Sequence, residues 1–352
     1  FPRMTKTWKK KRLLLYAHGG LTSEKSAVQR VAEYRQALLD AEVYPLAFVW
    51  RSDFWTTVTN ILRDAFRRRR DEGVLDAAKD FMLNRLDDAM EPAARYLSGK
   101  MQWDEMKENA ILATADTTSG GAYLLAQMLA PIVKKDPSIE LHVAGHSAGA
   151  VFHAPLVQLL ASNGPIQSGP MKGATGLGRK IKTCTLWAPA CTVDLFKQTY
   201  LPAIESKGVK KFALFTLTDD AEQNDHCANI YHKSLLYLVS NAFEAWPHVP
   251  LIQDGVPILG MEKFVNKDKQ LKALFGNGSA DWVKAPNTEP LGSPDHSGSQ
   301  HHGDFDDDRG TLQATLARIL GAPGGAGAGV KPTVHPSGSA MRDRRMSLER
   351  SG

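Results

Sequence analysis

"IELHVAGHSAGAVFHAPLVQLLA", residues 139–161, is the stretch of the 352-residue chain that decides how the chain folds. It begins with an apolar run typical of a buried strand, continues through Gly-His-Ser-Ala-Gly, and ends in an apolar run of helical length. Two glycines are an unfavourable way to begin a helix, because each costs roughly 0.5–1 kcal/mol relative to alanine. The pattern therefore predicts a sharp strand-to-helix turn with Ser147 at its apex.

Strands and helices are predicted to alternate on both sides of this turn. Residues 12–20 form a short apolar run without alternation, as expected of a strand buried on both faces, and residues 43–50 form the next one after a helical stripe. Residues 180–190 and 210–219 are two further apolar runs. This rhythm predicts an α/β fold with a mostly parallel central sheet and helices on both faces.

Two regions depart from the rhythm. Residues 51–138 are predicted to be wholly helical and are far longer than one crossover helix needs, which favours a helical cap inserted into a single domain at 12–321. The cluster Arg67–Arg70 within it is interpreted as a solvated helix face, with contact to an anionic membrane surface as the alternative. Residues 322–352 are rich in Gly, Pro and Ser, and we expect them to be disordered.

The composition points to a soluble globular protein, with 43% hydrophobic residues, 23% charged residues and a formal net charge of +5. The apolar runs, of about ten residues, are too short to span a bilayer. The three cysteines lack CxxC spacing, so neither a disulfide framework nor a zinc site is predicted, and a cytoplasmic location is expected. No metal, organic cofactor or nucleic-acid partner is expected. The chain begins with Phe1, which is compatible with a fragment of a longer protein.

A strand followed by G-x-S-x-G and a helix is the pattern called a nucleophile elbow. It predicts that Ser147 is a nucleophile and that the flanking glycines leave room where strand and helix pass closely. The oxyanion formed by such an attack needs two N–H donors. One is predicted to be the backbone of Ala148, and the other Gly20, with Gly19 as the alternative, in the segment "AHGGL" at residues 17–21.

Taken together, the motifs "AHGG" and "GHSAG", the strand order and a late histidine resemble the α/β-hydrolase superfamily, in its esterase- and lipase-like branch. The resemblance covers about residues 12–321. It implies a serine hydrolase that cleaves carboxylic esters of small molecules or lipids through a Ser-His-Asp triad and an acyl-enzyme. These motifs are specific for the superfamily and are poor guides to the substrate.

The resemblance also implies that the base follows the last strand. His302, in "PDHSGSQHHGDFDDD" at 294–308, best fits that loop, with His301 and then His296 as alternatives. The same segment runs into "DFDDDRG" (304–310), which looks like a calcium loop but lacks the glutamate such loops require, and we interpret it as an acidic lead into the final helix.

The acid of the triad is expected after a late strand. The resemblance favours Asp219, the first residue past the strand in "FALFTLTDDAEQND", with Asp220 next and with Asp194, after the preceding strand, as the alternative. A carboxylate there would hold the imidazole tautomer and stabilise the imidazolium. The rival functions are an amidase, thioesterase or acyltransferase on the same fold, or a catalytically silent hydrolase fold that serves as an interaction module.

Overall fold

The computed structural model of the chain describes residues 1–20, 24–50, 59–64, 87–88, 90–227 and 230–321. Its strands are β1 Lys11–Ala17, β2 Val43–Phe48, β3 Ile139–His146, β4 Asn163–Pro165, β5 Thr175–Leu177, β6 Ile181–Trp187, β7 Val209–Leu217 and β8 Asp281–Ala285. Its α-helices are α1 Glu24–Asp40, α2 Lys100–Ala115, α3 Gly121–Lys135, α4 Gly149–Ala161, α5 Val193–Glu205, α6 Asp219–Asn224, α7 Leu235–Leu238, α8 Glu262–Lys267, α9 Lys269–Gly276 and α10 Arg309–Leu320. None of these described helices has both the length and the apolar character that crossing a bilayer requires.

Six strands form one sheet in the order β2-β1-β3-β6-β7-β8, and every neighbouring pair is parallel. The predicted α/β fold class with a parallel central sheet is therefore confirmed. β4 and β5 form a separate antiparallel pair. The strand order reverses between β1 and β3, and Ala17 at the end of β1 pairs with Gly145 near the end of β3. Such a switch point is where parallel sheets bind ligands.

Side chains along the strands alternate between two buried layers, as the period of a strand requires. On one face Leu13 and Leu214 pack with α3, α4 and α5. On the other, Leu14 and Phe215 pack with α10 and with residues 235–243. Every residue of α4 is buried, which explains why its sequence is apolar all round.

Part of the long stretch between β2 and β3 belongs to the helical layer of the main domain and not to a separate cap. Its helices α2 and α3 pack on α4 and share the core beside the sheet, so this half belongs to the helical layer. Residues 59–64 and 90–94 are also helical. Most other residues of the predicted cap, including Arg67–Arg70, and the predicted tail at 322–352, lie outside the described residues. The helical cap at 51–138 is therefore not confirmed and stays a prediction.

The two glycines of the serine turn lie where backbones pass within contact distance. A Cβ atom on Gly149 would lie 2.2 Å from the carbonyl oxygen of Ala17, and one on Gly145 would lie 3.2 Å from the carbonyl oxygen of Gly149. Neither neighbour can move without displacing a strand or helix. The interpretation that these glycines make room for a close strand-to-helix passage is confirmed.

Replacing Gly149 by alanine is therefore expected to lower the free energy of unfolding by about 2 kcal/mol or more, because β1 and α4 must separate. Gly276→Ala is the matched control, since a Cβ atom there meets nothing within 4 Å. Chemical denaturation of both variants checks this. Equal stability of the two variants would contradict the close packing.

Candidate active site

Ser147 sits at the turn in a left-handed backbone conformation, with φ of 51°. Residues other than glycine rarely adopt this region, and such strain costs of order 1–3 kcal/mol. Two hydrogen bonds to the segment at the end of β6 hold it. The Ser147 N–H donates to the carbonyl of Trp187 at 2.9 Å, and the Ser147 carbonyl accepts from the Ala190 N–H at 3.0 Å. The end of β6 therefore keeps the serine in the geometry expected of a nucleophile elbow.

His302 lies directly beside this serine. Its Nε2 atom is 2.9 Å from Ser147 Oγ, and both side chains are buried. Burial, and then the neighbouring His146, lower the pKa of His302 to about 3, whereas the charges of Asp225 and Asp306 act in the opposite direction. A neutral imidazole can accept the serine proton on Nε2. The structure thus brings together the two residues predicted as nucleophile and base.

The other late histidines face elsewhere. His301 turns its Nδ1 atom to Asp225 Oδ1 at 2.8 Å. His296 bonds through Nδ1 to the carbonyl of Glu289. Within the described residues neither ring is hydrogen-bonded to Ser147, so the geometry favours His302 over both alternatives.

Asp219, predicted as the acid, is not brought to His302. Its Oδ1 accepts from the Tyr237 hydroxyl at 2.7 Å and its Oδ2 from the Gln223 amide at 2.8 Å. Within the described residues no hydrogen bond joins Asp219 to His302. The reason is local: Thr218 caps α6 by accepting from a backbone N–H, so Asp219 occupies the first helical turn rather than a loop.

The two alternative acids fare no better. Asp220 follows in the same first turn of α6 and is exposed. Asp194 lies in the first turn of α5 and is also exposed. No contact to His302 is found for either one in the part of the chain that the structure describes.

The carboxylate that reaches the loop between β8 and α10, which carries His302, belongs to Asp225. Its Oδ2 accepts from the backbone N–H of His302 at 2.9 Å, and its Oδ1 accepts from the backbone N–H of His226 at 2.7 Å. Burial raises the pKa of Asp225, but hydrogen bonds from His226, His301 and His302 outweigh burial and hold that pKa far below its usual range. Asp225 is therefore a buried, charged carboxylate beside the candidate base.

Asp225 lies in the same segment as the predicted acid Asp219, at the far end of "TDDAEQND". A threonine followed by acidic residues is a helix-start signal, and it would have placed Asp219 in a helix and Asp225 in the loop. The Nδ1 atom of His302 has no hydrogen-bond partner among the described residues. The Asp225 carboxylate thus contacts the backbone N–H of His302 and not its imidazole ring.

The predicted oxyanion groups also come together at the serine. A Cβ atom on Gly20 would lie 3.4 Å from the Ala148 Cβ atom, and one on Gly19 would lie 3.2 Å from the Ser147 Cβ atom. Among the described residues, no backbone carbonyl accepts from the N–H group of Gly20 or of Ala148. His18 holds this loop, with Nδ1 donating to the Gly19 carbonyl at 2.8 Å. Gly20 and Ala148 therefore lie on two backbone segments that meet beside the nucleophile.

A buried charged network supports the same histidine from the other side. The His146 Nε2–H donates to the His302 carbonyl at 3.0 Å, and His146 Nδ1 is 3.5 Å from Asp306 Oδ2. Asp306 pairs with Arg30 of α1, and Arg30 also pairs with Asp307 at 2.9 Å. Burial raises the pKa of Asp306, but Arg30 and His146 outweigh it and hold that pKa well below its usual range.

Only part of this acidic segment acts as the predicted lead into the last helix. Asp308 caps α10, where its Oδ2 accepts from the Thr311 N–H at 2.7 Å. Asp306 and Asp307 instead pair with Arg30, a residue that the sequence reasoning missed. Nothing local in the sequence links α1 to residue 306, since the contact depends on the tertiary fold.

Asp306→Asn is expected to lower the free energy of unfolding by about 3 kcal/mol at pH 7, because it leaves the buried Arg30 undercompensated. The wild-type carboxylate has a depressed folded-state pKa, so its contribution is present above about pH 4 and is lost as the pH falls below that value. The deficit of the variant should therefore narrow in acid.

Urea denaturation at several pH values measures this difference. Asp220→Asn is the control, since Asp220 is exposed and its replacement should change stability by less than about 0.5 kcal/mol. A deficit for Asp306→Asn that is equally small would contradict the buried network.

Comparison of the chain with protein-family models, with curated proteins and with solved structures gave no match. The interpretation of the site therefore depends on its own geometry. A hydroxyl on a strained turn, a neutral imidazole at hydrogen-bond distance and nearby backbone N–H groups are parts that nucleophilic acyl transfer requires.

Proposed function

We propose that the chain is a serine hydrolase of the α/β-hydrolase type that cleaves carboxylic esters of small molecules or lipids through an acyl-enzyme. The observation that carries this proposal is the 2.9 Å contact between Ser147 Oγ and His302 Nε2 at a turn with φ of 51°. An ordinary strand-to-helix turn has no need of a strained serine, and strained residues are concentrated at functional sites.

In the proposed reaction His302 Nε2 takes the proton of Ser147 Oγ while Oγ attacks the ester carbonyl carbon. The carbonyl electron pair moves onto oxygen, and the N–H groups of Ala148 and Gly20 donate to that oxyanion. Collapse of the tetrahedral intermediate expels the alcohol, which takes the proton from His302. A water molecule then attacks the acyl-enzyme by the same route and releases the carboxylic acid.

Asp225 is proposed as the positioning residue for this base. Its Oδ2 accepts from the backbone N–H of His302, and its negative charge favours the imidazolium that forms during attack. This replaces the sequence-based assignment of Asp219, whose carboxylate is occupied by Tyr237 and Gln223. The acid would act through the backbone and through its charge.

Ser147→Ala is expected to abolish hydrolysis of short p-nitrophenyl esters and labelling by a fluorophosphonate probe, because it removes the attacking oxygen alone. His302→Ala should reduce kcat by on the order of 10⁴-fold. His296→Ala is the matched control, since that side chain bonds to a carbonyl of its own loop. Probe labelling of the Ser147→Ala variant, or turnover within a few-fold of the parent, would refute the assignment.

Asp225→Asn should lower kcat at least about tenfold more than Asp219→Asn, with KM little changed, because only Asp225 contacts the backbone of the base. Both substitutions replace one carboxylate oxygen by an NH2 group, so the two variants are matched in size. Steady-state kinetics on the same ester, with thermal midpoints recorded for both variants, measure the difference. A larger effect at Asp219 would show that the contacts of Asp225 do not serve the base.

A further inference from the structure

Three groups that commonly bind metals converge next to the loop between β8 and α10, which carries His302. His301 Nδ1 lies 2.8 Å from Asp225 Oδ1, and His226 Nδ1 lies 3.6 Å from the same oxygen. One ligand atom from each residue falls within 4.8 Å of the other two. The three side chains therefore surround one small volume.

The spacing suits a four-coordinate ion. A tetrahedral zinc site with bonds of about 2.0–2.1 Å places neighbouring ligand atoms about 3.4 Å apart. The observed separations of 2.8 and 3.6 Å fall on either side of that distance. The side chains of His226 and His301 are 50% and 47% exposed, so their rings can adjust and an ion can enter from solvent.

The carboxylate is already oriented for such a role. Asp225 is buried, and its Oδ2 accepts from the His302 N–H. Its Oδ1 accepts from the backbone N–H of His226 and also faces the two imidazoles. Hydrogen bonds of this kind, from outside the ligand set, orient metal ligands and raise affinity.

A simple hydrogen-bonded pair would account for only one of the two imidazoles. His301 alone satisfies the side-chain contact to Oδ1, yet the ring of His226 lies 5.4 Å from the ring of His301 and presents its Nδ1 to the same oxygen. Two imidazoles and one carboxylate form a donor set that suits zinc and related divalent ions.

We propose that Asp225, His226 and His301 bind one Zn²⁺ ion, with water in the fourth position. Asp225 and His226 follow β7, and His301 belongs to the loop between β8 and α10, so the ion would link two loops that lie far apart in the sequence. No spacing motif could reveal such a site, which is why the cysteine pattern predicted no zinc. The link would brace the loop that carries His302 without contacting the serine.

The test uses the full chain, first treated with a chelator and then titrated with Zn²⁺ by calorimetry, with metal content measured after dialysis. The parent should bind one ion per chain, and Co²⁺ in its place should give the visible absorption of a four-coordinate complex. Bound zinc should also raise the thermal midpoint, because the ion binds the folded state. His226→Ala and His301→Ala should each weaken binding by about 100-fold or more.

Two controls make the result decisive. His296→Ala removes a histidine of the same loop that lies outside the cluster, and it should bind zinc as the parent does. Ser147→Ala should also keep zinc, so loss of esterase activity and loss of the metal site are separate outcomes. Circular dichroism without metal shows that each variant is folded, and His301→Gln substitutes for His301→Ala if the latter is not.

Stoichiometric binding that both histidine variants lose supports the site. The proposal is overturned if the parent binds no zinc at concentrations well above that of the protein, or if both histidine variants bind it as tightly as the parent does.

Discussion

The left-handed backbone of Ser147 is the constraint on which the rest of the site depends. A strained serine persists only when its surroundings over-determine it, and here both of its backbone polar groups are bound to the chain that leaves β6. Those two hydrogen bonds require β3 and β6 to be neighbours. The missing side chain of Gly149 then lets α4 leave over the end of β1. The conformation of the serine turn therefore depends on the order in which β1, β3 and β6 lie in the sheet.

The same geometry explains how His302 is held in place although its Nδ1 atom has no hydrogen-bond partner among the described residues. Its backbone N–H is bound by Asp225 and its carbonyl by His146, so the peptide groups on both sides of the residue are anchored. Because the carboxyl ends of parallel strands meet at one edge of a sheet, residues that follow β3, β7 and β8 can supply these groups together. The anchored backbone and the hydrogen bond between His302 Nε2 and Ser147 Oγ together place the imidazole.

Sequence patterns predicted the features that depend on local chemistry. The apolar runs identified the strands at 12–20 and 210–219, the glycines identified the turn, and position in the chain selected His302 ahead of His301. The structure places Asp225, and not Asp219, against the backbone of His302. Both residues lie in one short segment, and only the helix cap at Thr218 decides which of them faces the loop. In this case a local signal existed and was outweighed by simple proximity to the strand.

The contact of Arg30 with Asp306 had no such signal, because it joins residues that are far apart in the chain. A buried ion pair is weak evidence of stability, since the cost of removing two charges from water offsets much of their attraction. Its use here is geometric. Arg30 belongs to the helix that follows the Gly20 loop, and Asp306 lies four residues after His302. The ion pair therefore links the segment that carries Gly20, the proposed oxyanion donor, to the segment that carries His302, the proposed base. A shift of either segment would separate two buried charges.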